Sequence, residues 1–455
     1  MAQFFCFSRR IFTNLPRILG FLVLASSFWF IFSPLFENLT GSAWRYVYSV
    51  NLPICVIYAI VYLKQGGKAK QLWENFVDFI KPFLPLLLGI LLVFILHHVG
   101  RKEAGFNLYG MARIILISGF AYSCLMTLPR ISPKVFFIFT SIGSFTFLAE
   151  MIFLLFTKDV SVWEVRKYTL LYITEFGRMY SLFGGLSFLG FFYCYKEKVA
   201  LKLFYLLAGL TGLLIPVFVL YVRSVVLTTS IAIIAAYLIT KVRYSGETLK
   251  LGKRAVSLLA LIFVVLCVSV GPIKDRFIEG VQETEAFINS SPSTLVASDP
   301  RTATPLEKND VSHQKAMATN FGARLAMWQT AWKEFSSSPI IGVGIGSPAR
   351  TESFKALYKD LGYFPKLPHF HSDYVQALVV GGLLLFLCLV STQVLLFISS
   401  LQQPIKLFLL LSIISYGFVD LGFFLQSDFA VFIGAWVILC SWKSNKLRNL
   451  CTKGG

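Results

Sequence analysis

The feature that most constrains this chain is a series of apolar runs of about 20 residues, spread over most of its length. A helix of about 20 residues spans the roughly 30 Å hydrocarbon core of a bilayer. The chain has 455 residues, of which 56% are hydrophobic and 14% are charged, and ordinary soluble domains do not have this composition. The sequence therefore predicts an all-α polytopic integral membrane protein and argues against a soluble enzyme.

Hydropathy and flanking charges predict about twelve transmembrane helices. They are expected at residues 18–36, 46–63, 81–98, 108–127, 136–156, 175–195, 201–221, 225–240, 255–272, 375–400, 405–423 and 427–442. With the N-terminus inside, most Lys and Arg of the connections face the cytoplasm, as the positive-inside rule requires. This orientation places the one long hydrophilic segment, residues 273–374, on the other side of the membrane; we call it the long loop.

Three parts of the chain follow from this topology: residues 1–272 carry the first nine transmembrane helices, residues 273–374 form a loop domain, and residues 375–455 carry the last three and a short cytoplasmic tail. The net charge of +19 lies entirely in the membrane part, because basic and acidic residues balance at 11 each between Lys274 and Asp373. Nucleic acid is therefore a poor candidate partner. The long loop has no cysteine, so no disulfide framework is expected there.

Within the long loop, the residues from Gly322 to Phe335 show strong helical periodicity. They place one apolar stripe on a helix: Leu325, Trp328, Ala331, Trp332 and Phe335. The next segment, residues 340–348, contains Gly342 and Gly344 and is too rich in glycine for a helix. It predicts a turn that brings backbone amides close to another group. It lacks the flanking strand and the Lys-Ser/Thr pair of a phosphate-binding loop.

Two histidines, His369 and His371, lie beside the predicted start of the tenth transmembrane helix. Histidine is the natural general base near neutral pH. The pair could also be a metal-binding H-x-H, but two ligands without cysteine or clustered acids make a weak site, so no metal is predicted. The plainer alternative is an interfacial histidine whose ring is half solvated.

Two arginines are the main candidates for binding an anion. Arg223 interrupts a long apolar stretch, where a guanidinium is costly unless an anion or a water-filled cavity receives it; alternatively it marks a turn and reaches the headgroups. Arg324 lies in the first turn of the loop helix, where a bound anion would gain from both the cation and the helix dipole; alternatively it is a solvated surface charge. Five further charged residues could line a path or pack between helices: Arg113, Glu150, Glu175, Arg178 and Asp420.

The order of these features resembles the O-antigen ligase family. The resemblance rests on Arg223 after a hydrophobic span, on GARLAMW at 322–328, on SPIIGVG at 338–344, and on HSDYVQAL at 371–378 followed by GGL at 381–383. Two positions depart from the family pattern: Ser372 stands where Asn is usual, and Val222 stands where Ser or Thr usually precedes the arginine. The resemblance implies a GT-C-like membrane glycosyltransferase in the bacterial inner membrane, with its active site facing the periplasm.

The resemblance also implies a reaction. Such a ligase transfers polysaccharide from undecaprenyl diphosphate to a sugar hydroxyl of lipid A-core, without metal or cofactor and with inversion. Arg223 and Arg324 are then expected to bind the diphosphate, and His371 is expected to be the general base. Contacts with substrate are expected from His369, Arg113, Lys167, Gly342 and Gly344.

Three alternatives stay open at this point. An O-antigen polymerase would use another lipid-linked repeat unit as acceptor, and a protein O-oligosaccharyltransferase would use a Ser or Tyr hydroxyl. The latter usually carries an additional soluble C-terminal domain, whereas this sequence ends soon after its last predicted span. A transporter would show inverted repeats, but the long loop lies asymmetrically near the C-terminus and no matching half is evident.

The predicted orientation can be tested with reporter fusions. Green fluorescent protein fused after Lys250 should fluoresce, and alkaline phosphatase fused after Lys308 should be active, because these reporters work on opposite sides of the inner membrane. Exchanging the two reporters between the same sites should abolish both signals. The opposite pattern would show that the long loop is cytoplasmic.

Overall fold

The structure is a computed structural model that describes most of the helical part of the chain. The described ranges are 18–26, 44–97, 106–128, 132–158, 173–194, 196–218, 222–243, 246–269, 320–344, 370–419 and 426–441, together with Ile278, Gln282, Glu285 and Phe424. The regular structure in these ranges is helical, and they contain no strand. The predicted all-α class is confirmed for the described residues.

Fourteen helices are labelled here in chain order. They are α1 (18–26), α2 (Trp44–Lys64), α3 (Ala69–Ile80), α4 (Leu84–Leu96), α5 (Phe106–Leu125), α6 (Pro133–Lys158), α7 (Ile173–Tyr193), α8 (Val199–Phe218), α9 (Arg223–Arg243), α10 (Gly246–Ser269), α11 (Asn320–Ser337), α12 (Asp373–Ser400), α13 (Pro404–Val419) and α14 (Gln426–Ser441).

Six helical segments are long and apolar enough to cross a membrane. They are Ala69–Leu96, Leu108–Leu125, Pro133–Thr157, Val199–Phe218, Val225–Val242 and Asp373–Ser400. Shorter apolar helices cover Val50–Lys64, Pro404–Phe418 and Phe429–Ser441. The chain is therefore a polytopic helical membrane protein, whereas the total of twelve spans and a GT-C-like arrangement stay predictions.

Helix α3 differs from the sequence prediction, which left residues 64–80 as a connection between two spans. The polar side chains of Lys70, Glu74 and Asp78 are exposed, whereas Leu72 and Ile80 are buried. Hydropathy averaged over a window hides such an amphipathic helix, because its polar and apolar faces cancel. A short 3₁₀ turn, Lys81–Phe83, then leads into α4.

Helix α7 is the central helix of the fold. All its residues from 176 to 190 are buried, and it packs against α6, α8, α9 and α13. It approaches α8 most closely where Gly184 faces Gly212, since a Cβ atom added to Gly184 would lie 2.5 Å from the Cα atom of Gly212. Small residues of this kind let membrane helices pack backbone to backbone.

This contact makes a prediction for stability. Gly184→Ala should lower the melting temperature in detergent, because an extra methyl group in a tight helix contact costs about 1–3 kcal/mol. Tryptophan fluorescence during heating would measure the change. Thr146→Ala is the control, since Thr146 is exposed and its loss should have little effect; equal shifts for the two variants would contradict the close packing.

Candidate active site

Helix α12 is broken near its middle, and the glycine-rich turn of the long loop fills the break. Gly382 has φ +62° and ψ −160°, which is not a helical conformation. In a continuous helix the N–H groups of Leu383 and Leu384 would donate to carbonyls four residues earlier. Instead, Leu383 N–H donates to Pro339 O at 2.8 Å and Leu384 N–H donates to Ile340 O at 3.2 Å.

The carbonyls that the break releases also find partners in the turn. Val379 O accepts the N–H of Val343 at 2.8 Å, and Val380 O accepts the N–H of Gly344 at 3.1 Å. The turn and the helix thus exchange four backbone hydrogen bonds, which give partners to groups that the break releases. We call this set of hydrogen bonds the backbone bridge.

The backbone bridge requires a glycine at position 342. This residue has φ +71°, and a Cβ atom there would lie 2.5 Å from the carbonyl carbon of Val380. The predicted turn with closely approaching amides is therefore confirmed, and the group that it approaches is α12. Because the N–H groups of Gly342 and Gly344 donate to Ser338 O and Val380 O, contact of these two glycines with substrate stays a prediction.

His97 holds the same turn from another helix. It follows the last residue of α4, and its Nε2 lies 2.9 Å from Ile341 O. A Cβ atom on Gly344 would meet the His97 ring at 2.9 Å. The sequence indicated only that His97 ends a predicted span, because a contact between residues so far apart in the chain leaves no local pattern.

Helix α11 packs on the segment that contains His371. Met327 and Ala331 are buried in a cluster with Phe370 and Val379, and the indole Nε1–H of Trp328 donates to Phe370 O at 2.8 Å. The predicted apolar stripe is thus confirmed at Trp328 and Ala331. Trp332 is 63% exposed and lies outside this cluster.

Arg324 lies on the same face of α11. It precedes Met327 by three residues and Trp328 by four, and residues at these spacings are neighbours on a helix surface. The face that carries Arg324 is therefore the face that packs on Phe370, the residue immediately before His371. Arg324 itself is half-buried.

His371 occupies an unusual backbone conformation. Its φ of +52° makes it the only non-glycine residue with positive φ among those that the structure describes. A non-glycine residue in this region is held there by its surroundings at a cost of about 1–3 kcal/mol, and such residues cluster at functional sites. His371 is half-buried.

The residues on both sides of His371 are anchored. Phe370 N–H donates to the side-chain oxygen of Gln376 at 3.2 Å, and the Ser372 hydroxyl donates to Gly417 O at 3.2 Å. The carboxylate of Asp373 accepts the N–H of Phe424 at 3.0 Å. The sequence did not single out Asp373, because an acid in the first turn of a helix usually needs no further explanation.

Arg223 is the first residue of helix α9. The preceding residue, Val222, is buried. It contacts Gly177, since a Cβ atom added to Gly177 would lie 2.6 Å from the Val222 side chain. Arg178, the residue after Gly177, is buried, and its guanidinium carbon lies 5.7 Å from the centre of the Tyr416 ring. From the sequence, Arg178 was only one of several charged residues in or near the predicted spans, and its neighbours could not be identified.

Helix α13 contacts both Arg178 and the segment that follows His371. The Tyr416 hydroxyl donates to Arg178 O at 3.2 Å, and the next residue, Gly417, contacts Ser372 and Asp373. The same helix packs against both α9 and α12. The start of α9, the buried Arg178 and the His371 segment therefore adjoin one end of α13.

The structure gives less information on the other residues that were predicted to contact substrate. Arg113 is half-buried on α5, a helix that packs mainly against α2, α3 and α14, so its contact with substrate stays a prediction. His369 and Lys167 lie outside the described residues. Within the described ranges, no group of three or more His, Cys, Asp or Glu side chains could hold a metal ion.

The fold and the site together define a polytopic membrane protein in which a loop helix packs beside a strained histidine at the start of a broken transmembrane helix. The sequence profile of the O-antigen ligase family matches residues 206–390, a segment that contains Arg223, Arg324 and His371. The match supports assignment of this segment to the O-antigen ligase family. No curated protein matches the chain.

The backbone bridge predicts different effects for two glycines with positive φ. Gly342→Ala should lower the melting temperature clearly more than Gly66→Ala, because a Cβ atom at Gly342 meets the backbone of α12, whereas Gly66, with φ +84°, has open space around it. The extra cost should be about 1–3 kcal/mol, which is typical of overpacking. Thermal unfolding in detergent measures both variants, and equal losses would argue against the bridge.

Proposed function

We propose that the protein is an O-antigen ligase that transfers polysaccharide from undecaprenyl diphosphate to a sugar hydroxyl of lipid A-core, at the periplasmic face of the bacterial inner membrane. The match to the O-antigen ligase family supports a glycosyl transfer that uses lipid-linked polysaccharide. The single observation that carries the assignment of residues is the packing of α11 on Phe370, because it brings the helix face of Arg324 to the segment of His371.

In this proposal the two arginines bind the diphosphate. The leaving group is an anion whose charge increases as the glycosidic bond breaks, and guanidinium groups can donate two parallel hydrogen bonds to phosphate oxygens. Cations fixed on helices stabilise such charge because they need little reorganisation during the reaction. Arg223 is the first residue of α9, where the helix dipole also favours an anion. Arg324 is the fifth residue of α11, because that helix begins at Asn320, earlier than the sequence predicted.

His371 acts as the general base. The acceptor hydroxyl attacks the anomeric carbon of the donor, the bond between that carbon and the diphosphate oxygen breaks, and the hydroxyl proton passes to the imidazole. A single displacement of this kind inverts the anomeric configuration. A half-buried histidine between buried neighbours suits this role, since the base must reach the acceptor proton through at most one water molecule.

Exposed apolar side chains near the site suit a lipid-linked donor. Trp332 is 63% exposed and Ile340 is 68% exposed, and they lie at the end of α11 and in the turn that fills the break in α12. Tryptophan is favoured where an apolar interior meets polar headgroups. A donor whose diphosphate lies at the membrane surface and whose tail lies in the bilayer needs both kinds of contact.

A transfer assay tests the proposal. Purified protein in detergent, with EDTA, receives undecaprenyl-diphosphate-linked polysaccharide and lipid A-core. The wild type should form product, and His371→Ala should slow the reaction by about 10²–10⁴-fold, the usual contribution of a general base. Arg324→Ala should slow it by about 10²–10³-fold, the usual loss when one group that stabilises the transition-state charge is removed.

The matched control is Lys333→Ala. Lys333 is an exposed cation on the same helix as Arg324, and its removal should leave the rate within about twofold, as for an ordinary surface charge. A wild type that lengthens the lipid-linked donor and ignores lipid A-core would be a polymerase. Absence of transfer to any acceptor, including a protein hydroxyl, would reject glycosyl transfer and favour a transporter.

A further inference from the structure

Asp373 is a buried acid beside the candidate base, and the proposed chemistry leaves it without a role. It is the first residue of α12, lies two positions after His371 and is 0% exposed. An acid in the first turn of a helix usually remains in solvent, where it interacts with the helix dipole at little cost. Burial of a carboxylate is costly unless hydrogen bonds compensate for the lost hydration.

The Asp373 carboxylate contacts both sides of the connection between α13 and α14. Its Oδ1 accepts the N–H of Phe424 at 3.0 Å, a buried hydrogen bond. Its other oxygen lies against Gly417, where an added Cβ atom would collide with it. The hydroxyl of the preceding Ser372 donates to the carbonyl of the same glycine at 3.2 Å.

These contacts fix the backbone on one side of His371. On the other side, two hydrogen bonds hold Phe370. Its carbonyl accepts the indole N–H of Trp328, and its own N–H donates to the side-chain oxygen of Gln376. His371 therefore lies between two anchored residues, and its positive φ is the conformation that both anchors impose. A strained conformation lasts only where the surroundings determine it in this way.

We infer that Asp373 is a positioning residue, which holds the His371 backbone in its strained conformation by accepting the N–H of Phe424 and packing on Gly417. The inference rests on the proposed function, because it gives Asp373 a role in catalysis only if His371 is the base. The required property is a hydrogen-bond acceptor of the right shape, and the negative charge is not required. Asparagine keeps the acceptor, whereas alanine removes it.

The test measures the donor KM and the kcat of folded protein well below the melting temperature, in the transfer assay with EDTA. Asp373→Ala should lower kcat by about 10–100-fold, the scale expected when a catalytic group is misplaced by about 1 Å. The donor KM should stay within about threefold, because the arginines that bind the diphosphate are intact. Asp373→Asn should keep kcat within about threefold of the wild type, because the amide oxygen of asparagine can still accept the N–H of Phe424 and His371 is then not misplaced.

Two further variants complete the design. Asp78→Ala removes an exposed acid from α3 and should leave both constants unchanged. Gly417→Ala keeps Asp373 and pushes a methyl group against its carboxylate, so it should reproduce the loss of kcat. It also decides the question if Asp373→Ala does not fold.

Each outcome has one meaning. If the wild type transfers nothing, the proposed function fails, whatever the variants do. If the wild type is active and Asp373→Ala or Gly417→Ala has a normal kcat with a lower melting temperature, the acid only stabilises the fold and the inference is wrong. If Asp373→Asn is as slow as Asp373→Ala, the charge is what matters and positioning by the hydrogen bond is rejected.

Discussion

The arrangement of the site depends on the backbone bridge between the glycine turn and the broken helix α12. A break in a membrane helix releases carbonyl and N–H groups that lipid cannot satisfy, so the protein itself must supply partners. Here the turn at 339–344 supplies them, and it does so only with its backbone in direct contact with α12. Because this turn directly follows α11, the bridge fixes the end of the loop helix, and the rest of that helix then lies on Phe370.

In the proposed function, the site combines residues at or near the ends of several helices. His371 lies just before α12, Arg324 lies near the start of α11, and Arg223 is the first residue of α9. Helix ends suit this chemistry, since backbone N–H groups and the helix dipole favour an anion at the N-terminus. Groups held by packed helices are also preorganised, so less free energy would be lost in ordering them around the proposed diphosphate.

The sequence alone predicted the local features well and the long-range ones poorly. Apolar runs indicated most helices within a few residues, but α3 was missed because its polar face lowered the average hydropathy. The glycine turn was predicted as a close approach, yet its partner α12 could not be identified, since backbone hydrogen bonds have no side-chain signature. The same limit applies to Asp373: its partner Phe424 lies 51 residues away, and nothing in the local pattern distinguishes it from an ordinary acid at a helix start.

The family match covers the candidate reacting residues but only part of the residues around them. The matched segment, residues 206–390, contains both arginines and the histidine that the proposed chemistry requires. Groups that contact the glycine turn and the residues after His371 lie outside it: His97 precedes the segment, and Gly417 and Phe424 follow it. The segment can therefore carry the reacting groups, but their geometry depends on helices from both sides of it. Substitutions in those helices should change catalysis through the position of His371 and the arginines, even where they contact no substrate.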